Sequence, residues 1–456
     1  MLPERFTERM KNILGAEYAA FASALEEPSV RAIRVNETKV SVERFLELTS
    51  LNLSPISYAR YGFIPESCDG IGNTPEHHAG MFYVQDPGAM ATVTALEVKR
   101  GWRVLDTCAA PGGKSSQLAS LVGDEGFLHA NEYVPKRAKI IVGNLERLGV
   151  KNAVVTSLDT AELARMYDSY FDLVLCDAPC SGEGMFRKYD EAITEWSEEN
   201  VALCAKRQRE ILDNSAKTVK HGGYLLYSTC TYSVEENEEC VADFLAHHPD
   251  FGLVEVGGAL SAVSSSGLPT EGAHTELARR FYPHKSRGEG QFIALMKRDD
   301  DGENMQTPLY KSAEILPSKT EMPIIKAFLS ETLGKIPSGK IIKHGEGFAL
   351  IPDGISLPPK SVFMAGVMLG EIRGKNFIPH HQLFSAYGND FIRKENLKRG
   401  DGRVAKYLHG EEIPACEVIG SGYTAVLFEG VALGGGKLSS GVIKNHYPKG
   451  LRTLNS

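Results

Sequence analysis

Apolar residues recur along this chain with more than one period. In Phe6-Thr-Glu-Arg-Met-Lys-Asn-Ile-Leu14 and Val42-Glu-Arg-Phe-Leu-Glu-Leu48 the spacing is near 3.6, so residues 1 to about 60 predict short helices. From about residue 100 to 297 the pattern changes. Unbroken apolar runs, which predict buried strands, cover Trp102–Asp106, Gly126–Glu132, Ala153–Asp159, Phe171–Asp177 and Gly223–Thr229, with a later one at Gly290–Met296. Helical stretches lie between them. One follows the first run at Ser115–Leu121. Another, Glu199–Lys220, sets Leu203, Gln208, Ile211, Leu212, Ser215, Ala216 and Val219 along one stripe. Strands alternating with helices imply a parallel sheet covered on both faces, an α/β Rossmann-like domain.

The polar stretch Lys297–Pro308 breaks this pattern and reads as a linker. Beyond it Gly and Pro are frequent and the strands short, as in Gly347–Ile351 and Thr424–Phe428, which predicts small β-rich modules. A dip near Gly374–Lys398 divides two of them, and no internal repeat is visible. The expected organisation is an α-rich N-terminal extension (1–95), the α/β domain (96–298), a linker (299–307), a first C-terminal module (308–385) and a second (386–456).

A length of 456 residues fits such a multidomain chain. With 42% hydrophobic and 24% charged residues the composition is that of a globular protein. No apolar run is long enough for a membrane span and no signal region opens the chain, so neither membrane nor secretion is expected. The eight cysteines are not spaced as a disulfide framework, which fits a reducing, cytoplasmic compartment. The net charge of -8 gives no global nucleic-acid signature, yet Phe391–Ser456 holds ten Lys/Arg against six Asp/Glu. A locally basic module on an acidic body is compatible with RNA.

The first predicted strand runs into Asp106-Thr-Cys108-Ala109-Ala110-Pro111-Gly112-Gly113-Lys114 and then a helix. Paired glycines let backbone N–H groups approach a ligand at a helix N-terminus. The spacing is neither the phosphate loop nor the dinucleotide fingerprint. Asp106, Glu132, Asp159 and Asp177 all close predicted strands. Such carboxylates would repel a dinucleotide's phosphates but suit a sulfonium amino acid carrying a ribose. The expected cofactor is therefore S-adenosylmethionine, with residues 108–114 around its methionyl end, Glu132 on the ribose and Asp159 near the adenine.

Two further loops leave the same sheet edge. Asp177-Ala-Pro-Cys180-Ser-Gly-Glu-Gly-Met-Phe-Arg187 follows the fourth strand, and Tyr227-Ser-Thr-Cys230-Thr-Tyr-Ser233 the fifth. Thiols beside a methyl donor suit methylation of cytosine C5, because a thiolate added to C6 makes C5 nucleophilic and a carboxyl near N3 stabilises the adduct. Ser233-Val-Glu-Glu236 reads as a capping box, predicting a helix N-terminus that lowers a thiol pKa. Cys176 and Cys204 read as core residues, and Cys108 as packing in the turn. No metal is expected, since no Cys-x-x-Cys pair exists and His77–His78 and His247–His248, read as surface or cap residues, lack cysteine neighbours. Arg31, Arg34, Arg187 and Lys188 are candidates for phosphate contacts, along with the basic C-terminal module.

These three motifs, with Tyr83-Val-Gln-Asp-Pro-Gly-Ala-Met90, resemble those of the Nop/Sun family of RNA cytosine-5 methyltransferases. The likeness is greatest to its branch acting on bacterial 16S ribosomal RNA, and Leu433–Arg452 is similar to the end of that branch's PUA-like RNA-binding module. The resemblance implies that Cys230 attacks C6 and Cys180 assists release. It also implies that residues 108–114, Glu132, Asp159 and Asp177 contact the cofactor, and that Asp177 faces the base. The implied partner is 16S ribosomal RNA or the small ribosomal subunit, met by a monomer. A transfer RNA substrate, or an RNA-binding assembly factor without turnover, is the alternative. A dinucleotide oxidoreductase with a redox cysteine pair is disfavoured by the missing glycine fingerprint.

Overall fold

The computed structural model describes residues 2–453. The outermost positions of the first and last predicted modules, 1 and 454–456, lie outside these. Helices α1 (Glu4–Leu14), α2 (Tyr18–Glu26) and α3 (Val42–Leu48) open the chain, and α1 and α3 stand where the apolar spacing puts them. Ser41 caps α3 by accepting from the Arg44 N–H. Among them lies an antiparallel sheet that the periodicity does not reveal. It comprises β1 (Ala32–Val35), β2 (Leu53–Pro55), β3 (Gly62–Pro65) and β4 (Phe82–Gln85), in the order β2-β3-β1-β4. Strands of three or four residues are too short to display an alternation. Helix α4 (Pro75–His78) precedes β4 and α5 (Pro87–Thr94) follows it. Both start with Pro and a side-chain cap, from Thr74 and Asp86.

The central sheet follows. Its strands are β5 (Arg103–Asp106), β6 (Phe127–Asn131), β7 (Ala153–Thr156), β8 (Phe171–Asp177) and β9 (Val219–Thr229), then β10 (Phe251–Val254), β11 (Ser265–Ser266), β12 (Arg279–Phe281) and β13 (Gln291–Arg298). Strands β9, β8, β5, β6 and β7 lie side by side and parallel; β13 joins β9 antiparallel. The chain steps outward from β5 to β7 and then returns to the other side of β5. The switch point therefore falls between β5 and β8, where open α/β sheets bind ligands. Helices α6 (Gly113–Val122), α7 (Pro135–Arg147), α8 (Thr160–Met166), α9 (Asp190–Thr194), α10 (Glu198–Thr218), α11 (Glu238–His247) and α12 (Pro283–Ser286) complete the domain. Period-two alternation sends Val104, Leu128 and Leu173 into one apolar cluster, and Leu105, Phe127 and Val174 into another. Each such side chain contributes about 1.5–3 kcal/mol on burial.

Residues beyond β13 do not hang free. The Met305 N–H reaches the Ser169 carbonyl and the Tyr310 hydroxyl meets that of Tyr167. After helix α13 (Glu321–Thr332) and the hairpin β14 (Lys340–His344)–β15 (Gly347–Ile351), strand β16 (Val362–Ala365) pairs antiparallel with β7. The central sheet thus takes an edge strand from the first C-terminal module. Strands β17 (Val367–Arg373) and β18 (Asn376–Pro379) complete that module's own sheet. Helix α14 (His381–Tyr387) leads to β19 (Lys394–Leu397), α15 (Arg403–His409), β20 (Ile413–Pro414), β21 (Gly422–Phe428), β22 (Val431–Ser439) and β23 (Val442–Asn445), a second, five-stranded sheet. Among the described residues no helix is long and apolar enough to cross a membrane.

Candidate active site

The strand order sets Asp177, Asp106, Glu132 and Asp159 in a row along the carboxyl edge of β8, β5, β6 and β7. Between β5 and α6 the chain turns tightly through Cys108–Gly112. Gly112 is left-handed at φ +105°, and a Cβ on Gly113 would come within 2.9 Å of the Tyr83 ring, so both positions call for glycine. The Ala109 N–H bonds to the Asn131 carbonyl at 2.8 Å, and Asn144 holds the Pro111 carbonyl at 2.8 Å. Asp106 is buried, with Oδ2 accepting from the Ser115 hydroxyl at 2.6 Å and Oδ1 lacking a partner. Burial pushes this carboxyl up to about 7, against the pull of the Ser115 hydrogen bond. An unpartnered acidic oxygen under a glycine turn fits a cationic or N–H-bearing ligand.

The other two carboxylates are placed differently. Glu132 is buried and accepts from the Val134 N–H at 3.0 Å, with Arg137 at 3.4 Å. Asp159 is exposed and caps α8 by accepting from the Ala161 N–H at 2.8 Å. The Cys108 thiol, in the turn, is pushed well up by burial.

The loops after β8 and β9 meet beside this turn. Cys180 Sγ and Cys230 Sγ stand 3.1 Å apart. The hydrogen bond to Cys230, then burial, raise the Cys180 thiol well above its ordinary value. Asp177 accepts from Lys114 Nζ at 2.7 Å and from the Ser228 hydroxyl at 2.5 Å. Burial pulls the Lys114 ammonium down, but Asp177 and the neighbouring Cys230 hold it above its usual range. Glycine turn, carboxylate, cation and two thiols therefore converge on one edge.

Residues 93–297 match the family described as 16S rRNA methyltransferase RsmB/F. Residues 2–87 match the N-terminal domain of 16S rRNA methyltransferase RsmF, and 394–453 the methyltransferase RsmF PUA domain. The ribosomal RNA small subunit methyltransferase F of Vibrio vulnificus is 32% identical, over 99% of this chain and 97% of its own. The chain belongs to the RsmF family of ribosomal RNA methyltransferases. It is an S-adenosylmethionine-dependent RNA methyltransferase with a PUA domain. Among solved structures, a methyltransferase homolog protein from Pyrococcus horikoshii is 29% identical with a TM-score of 0.57, covering 65% of this chain and 95% of that one. NSun6 from the same organism, solved with SFG, shares the fold at 24% identity and a TM-score of 0.56, covering 66% of this chain and 99% of that one.

Within this RsmF-type site several expectations need correction. No helix begins at Ser233: residues 230–237 form a loop and α11 starts at Glu238 without a side-chain cap. The capping-box glutamate, Glu236, is instead buried and bonded to Ser181 and Gln208. A buried carboxylate with partners distant in sequence outcompetes a local cap. Leu203 of the predicted α10 stripe faces outward, while Cys204 and Gln208 face inward. Arg34 is no phosphate ligand. It is buried, donating to the Gly113 carbonyl and the Ser116 hydroxyl at 2.7 Å each, and to Gln85. Arg187 is likewise sequestered, on Glu289 at 2.9 Å and on the carbonyls of Ala24 and Gly288. Lys188 pairs with Asp86 at 3.2 Å, and Arg31 remains exposed. His77 and His78 close α4 but turn inward, His78 bonding the Tyr447 hydroxyl at 2.7 Å; burial drives His77 down to about 3. His247 and His248 do close α11. Cys176 and Cys204 are buried. Sequence reasoning missed Glu183 and Glu236 as ties between the thiol loops. Their only local signal was an acidic residue in each of the two thiol motifs.

Proposed function

We propose that this enzyme methylates C5 of cytidine in 16S ribosomal RNA through a thiolate adduct at C6. The observation that carries the reading is the pair of thiols 3.1 Å apart, beside a carboxylate held by Lys114 and Ser228. Cys230 is the nucleophile. As its sulfur adds to C6, its proton passes by way of the Asp177–Lys114 pair to N3, and the ring becomes a neutral enamine. S-adenosylmethionine, when bound, would supply an electrophilic methyl group to C5 and depart as S-adenosylhomocysteine. Cys180 then accomplishes release. Its thiol proton returns to Cys230 as the C6–S bond breaks, its thiolate accepts the C5 proton, and the N3 proton leaves through the Asp177–Lys114 pair to water. A thiol held well above its usual range gives a thiolate basic enough for that step.

The cofactor lies along the row of strand ends. The Cys108–Lys114 turn holds its methionyl end, Glu132 its ribose and Asp159 its adenine edge, while Asp177 lies between it and the base. Reaching this edge requires the cytidine to leave its helix, which costs a few kcal/mol and is offset by contacts elsewhere on the RNA. The basic residues of the C-terminal PUA domain supply some of them. Reduced thiols fit the cytoplasm, and because one chain carries every part of the site, a monomer suffices.

The test uses Cys180→Ala, Cys230→Ala and the double variant with small-subunit RNA or subunits, methyl-labelled cofactor and a denaturing gel. Cys180→Ala is expected to accumulate a protein–RNA adduct that the double variant lacks, and labelled nucleoside from the wild type to be 5-methylcytidine. An adduct from Cys230→Ala would reverse the two roles. Label at another atom would overturn the C5 reading, and label in transfer RNA alone would replace the substrate.

A further inference from the structure

Two buried carboxylates tie the thiol loops together, and the chemistry above uses neither. Glu183 sits on the Cys180 loop. It accepts from the Trp196 indole N–H and the Ser233 hydroxyl at 2.8 Å, and from the Thr231 hydroxyl and the Tyr232 N–H at 2.9 Å. Three of those donors belong to the Cys230 loop. Glu236 sits beyond Cys230 and reaches the opposite way. It accepts from the Ser181 N–H at 2.9 Å and the Ser181 hydroxyl at 2.5 Å and from Gln208 of α10 at 2.9 Å, and the Thr231 hydroxyl oxygen, whose one proton faces Glu183, lies 3.2 Å away. Each loop thus donates to the carboxylate of the other. Ser181 and Thr231, next in chain to the two cysteines, also meet each other at 2.9 Å. Glu183, Glu236, Thr231 and Gln208 are each at most 1% exposed, so water does not substitute for these bonds.

We propose that Glu183 and Glu236 are positioning residues, a reciprocal clasp that sets Cys180 against Cys230 for release of the RNA adduct. This rests on the covalent reading above. A carboxylate serves because only an acceptor-only group takes several converging donors at once. An amide in its place would point an N–H at donors already present. The Glu236 charge also helps raise the Cys180 thiol, after the Cys230 hydrogen bond and burial. The clasp therefore acts on the releasing thiol more than on the attacking one, which has Lys114 beside it.

Two variants test this in full-length enzyme with small-subunit RNA. Glu236→Gln inserts the misplaced amide. Thr231→Val keeps shape and both carboxylates but deletes the shared hydroxyl. The expected result is single-turnover adduct formation close to wild type, a roughly tenfold or greater fall in kcat, a KM for RNA that falls with it so that kcat/KM holds, and an adduct visible on a denaturing gel. A merely structural role would lower formation and release together, in step with the folded fraction, and leave no adduct; that result overturns the clasp. If Glu236→Gln does not fold, Thr231→Val decides. Cys180→Ala runs alongside. Adduct there but in neither variant sinks the clasp and spares the C5 reading, whereas no adduct in Cys180→Ala sinks both.

Discussion

At the scale of the residue, Asp106 shows what burial does to a carboxyl that local pattern marks only as a strand end. Its value of about 7 lies above the unfolded reference of 3.8, through burial first, with the Ser115 bond opposing. The native state therefore holds a proton that the unfolded chain has already lost between those values. Stability from the neutral form is complete below the unfolded value and is lost as pH rises through about 7. The loss is at most about 4 kcal/mol. In cofactor-free protein, Asp106→Asn should gain on the wild type in urea midpoint as pH rises from 5 to 7, and the gap should then level off. A gap constant with pH would show that Asp106 does not titrate in this window. The thiols and strand-end acids were legible in the sequence because each sits within a few residues of the motif that marks it. The burial of Arg34 and Arg187 was not, because the groups that cover them come from segments far along the chain.

At the scale of the element, strand β1 shapes the Cys108–Gly113 turn, proposed above to hold the cofactor, although it belongs to the N-terminal sheet. Its register pairs Arg34 with Tyr83 of β4, and the guanidinium passes on to the first turn of α6. None of its hydrogen-bond partners among the described residues is a carboxylate, and burial pulls it down to about 10. The brace therefore works by holding carbonyl and hydroxyl groups in place. Arg34→Met keeps the stem and removes the donors, so the Gly113 carbonyl and the Ser116 hydroxyl lose the guanidinium and keep the bond between themselves. Cofactor Kd by calorimetry is expected to rise roughly tenfold, as the loss of one or two buried hydrogen bonds implies, while RNA binding stays unchanged. An unaltered cofactor Kd would reduce Arg34 to ordinary packing.

At the scale of the whole molecule, the two ends of the chain share a core. Ile33, Val35, Phe45 and Phe82 lie in one apolar cluster with Leu397, Tyr407, Val426 and Leu433. Arg399 bonds Glu76 and the Leu48 carbonyl, and the half-buried Lys39 side chain donates to the carbonyls of Ser385 and Ala432. The basic C-terminal module is thus a structural partner of the N-terminal extension. Truncation after residue 390 should lower the melting temperature by about 5 °C or more and promote aggregation through the uncovered face. An unchanged melting curve with only RNA affinity lost would show a freely appended module instead.

Local pattern carries the strand–helix alternation, the glycine turn, the placement of Cys180, Cys230 and Asp177 at one sheet edge, and the family. All of these are written in short continuous stretches, where hydrophobic period and motif spacing act locally. Long-range packing sets Arg34 against the Cys108–Gly113 turn and Glu183 and Glu236 between the thiol loops. It alone decided that β16 completes the central sheet and that the first and last modules pack together. Each depends on pairing residues far apart along the chain. Whether a charged side chain is solvated or buried depends on what that distant segment brings to it, and no local pattern carries that information.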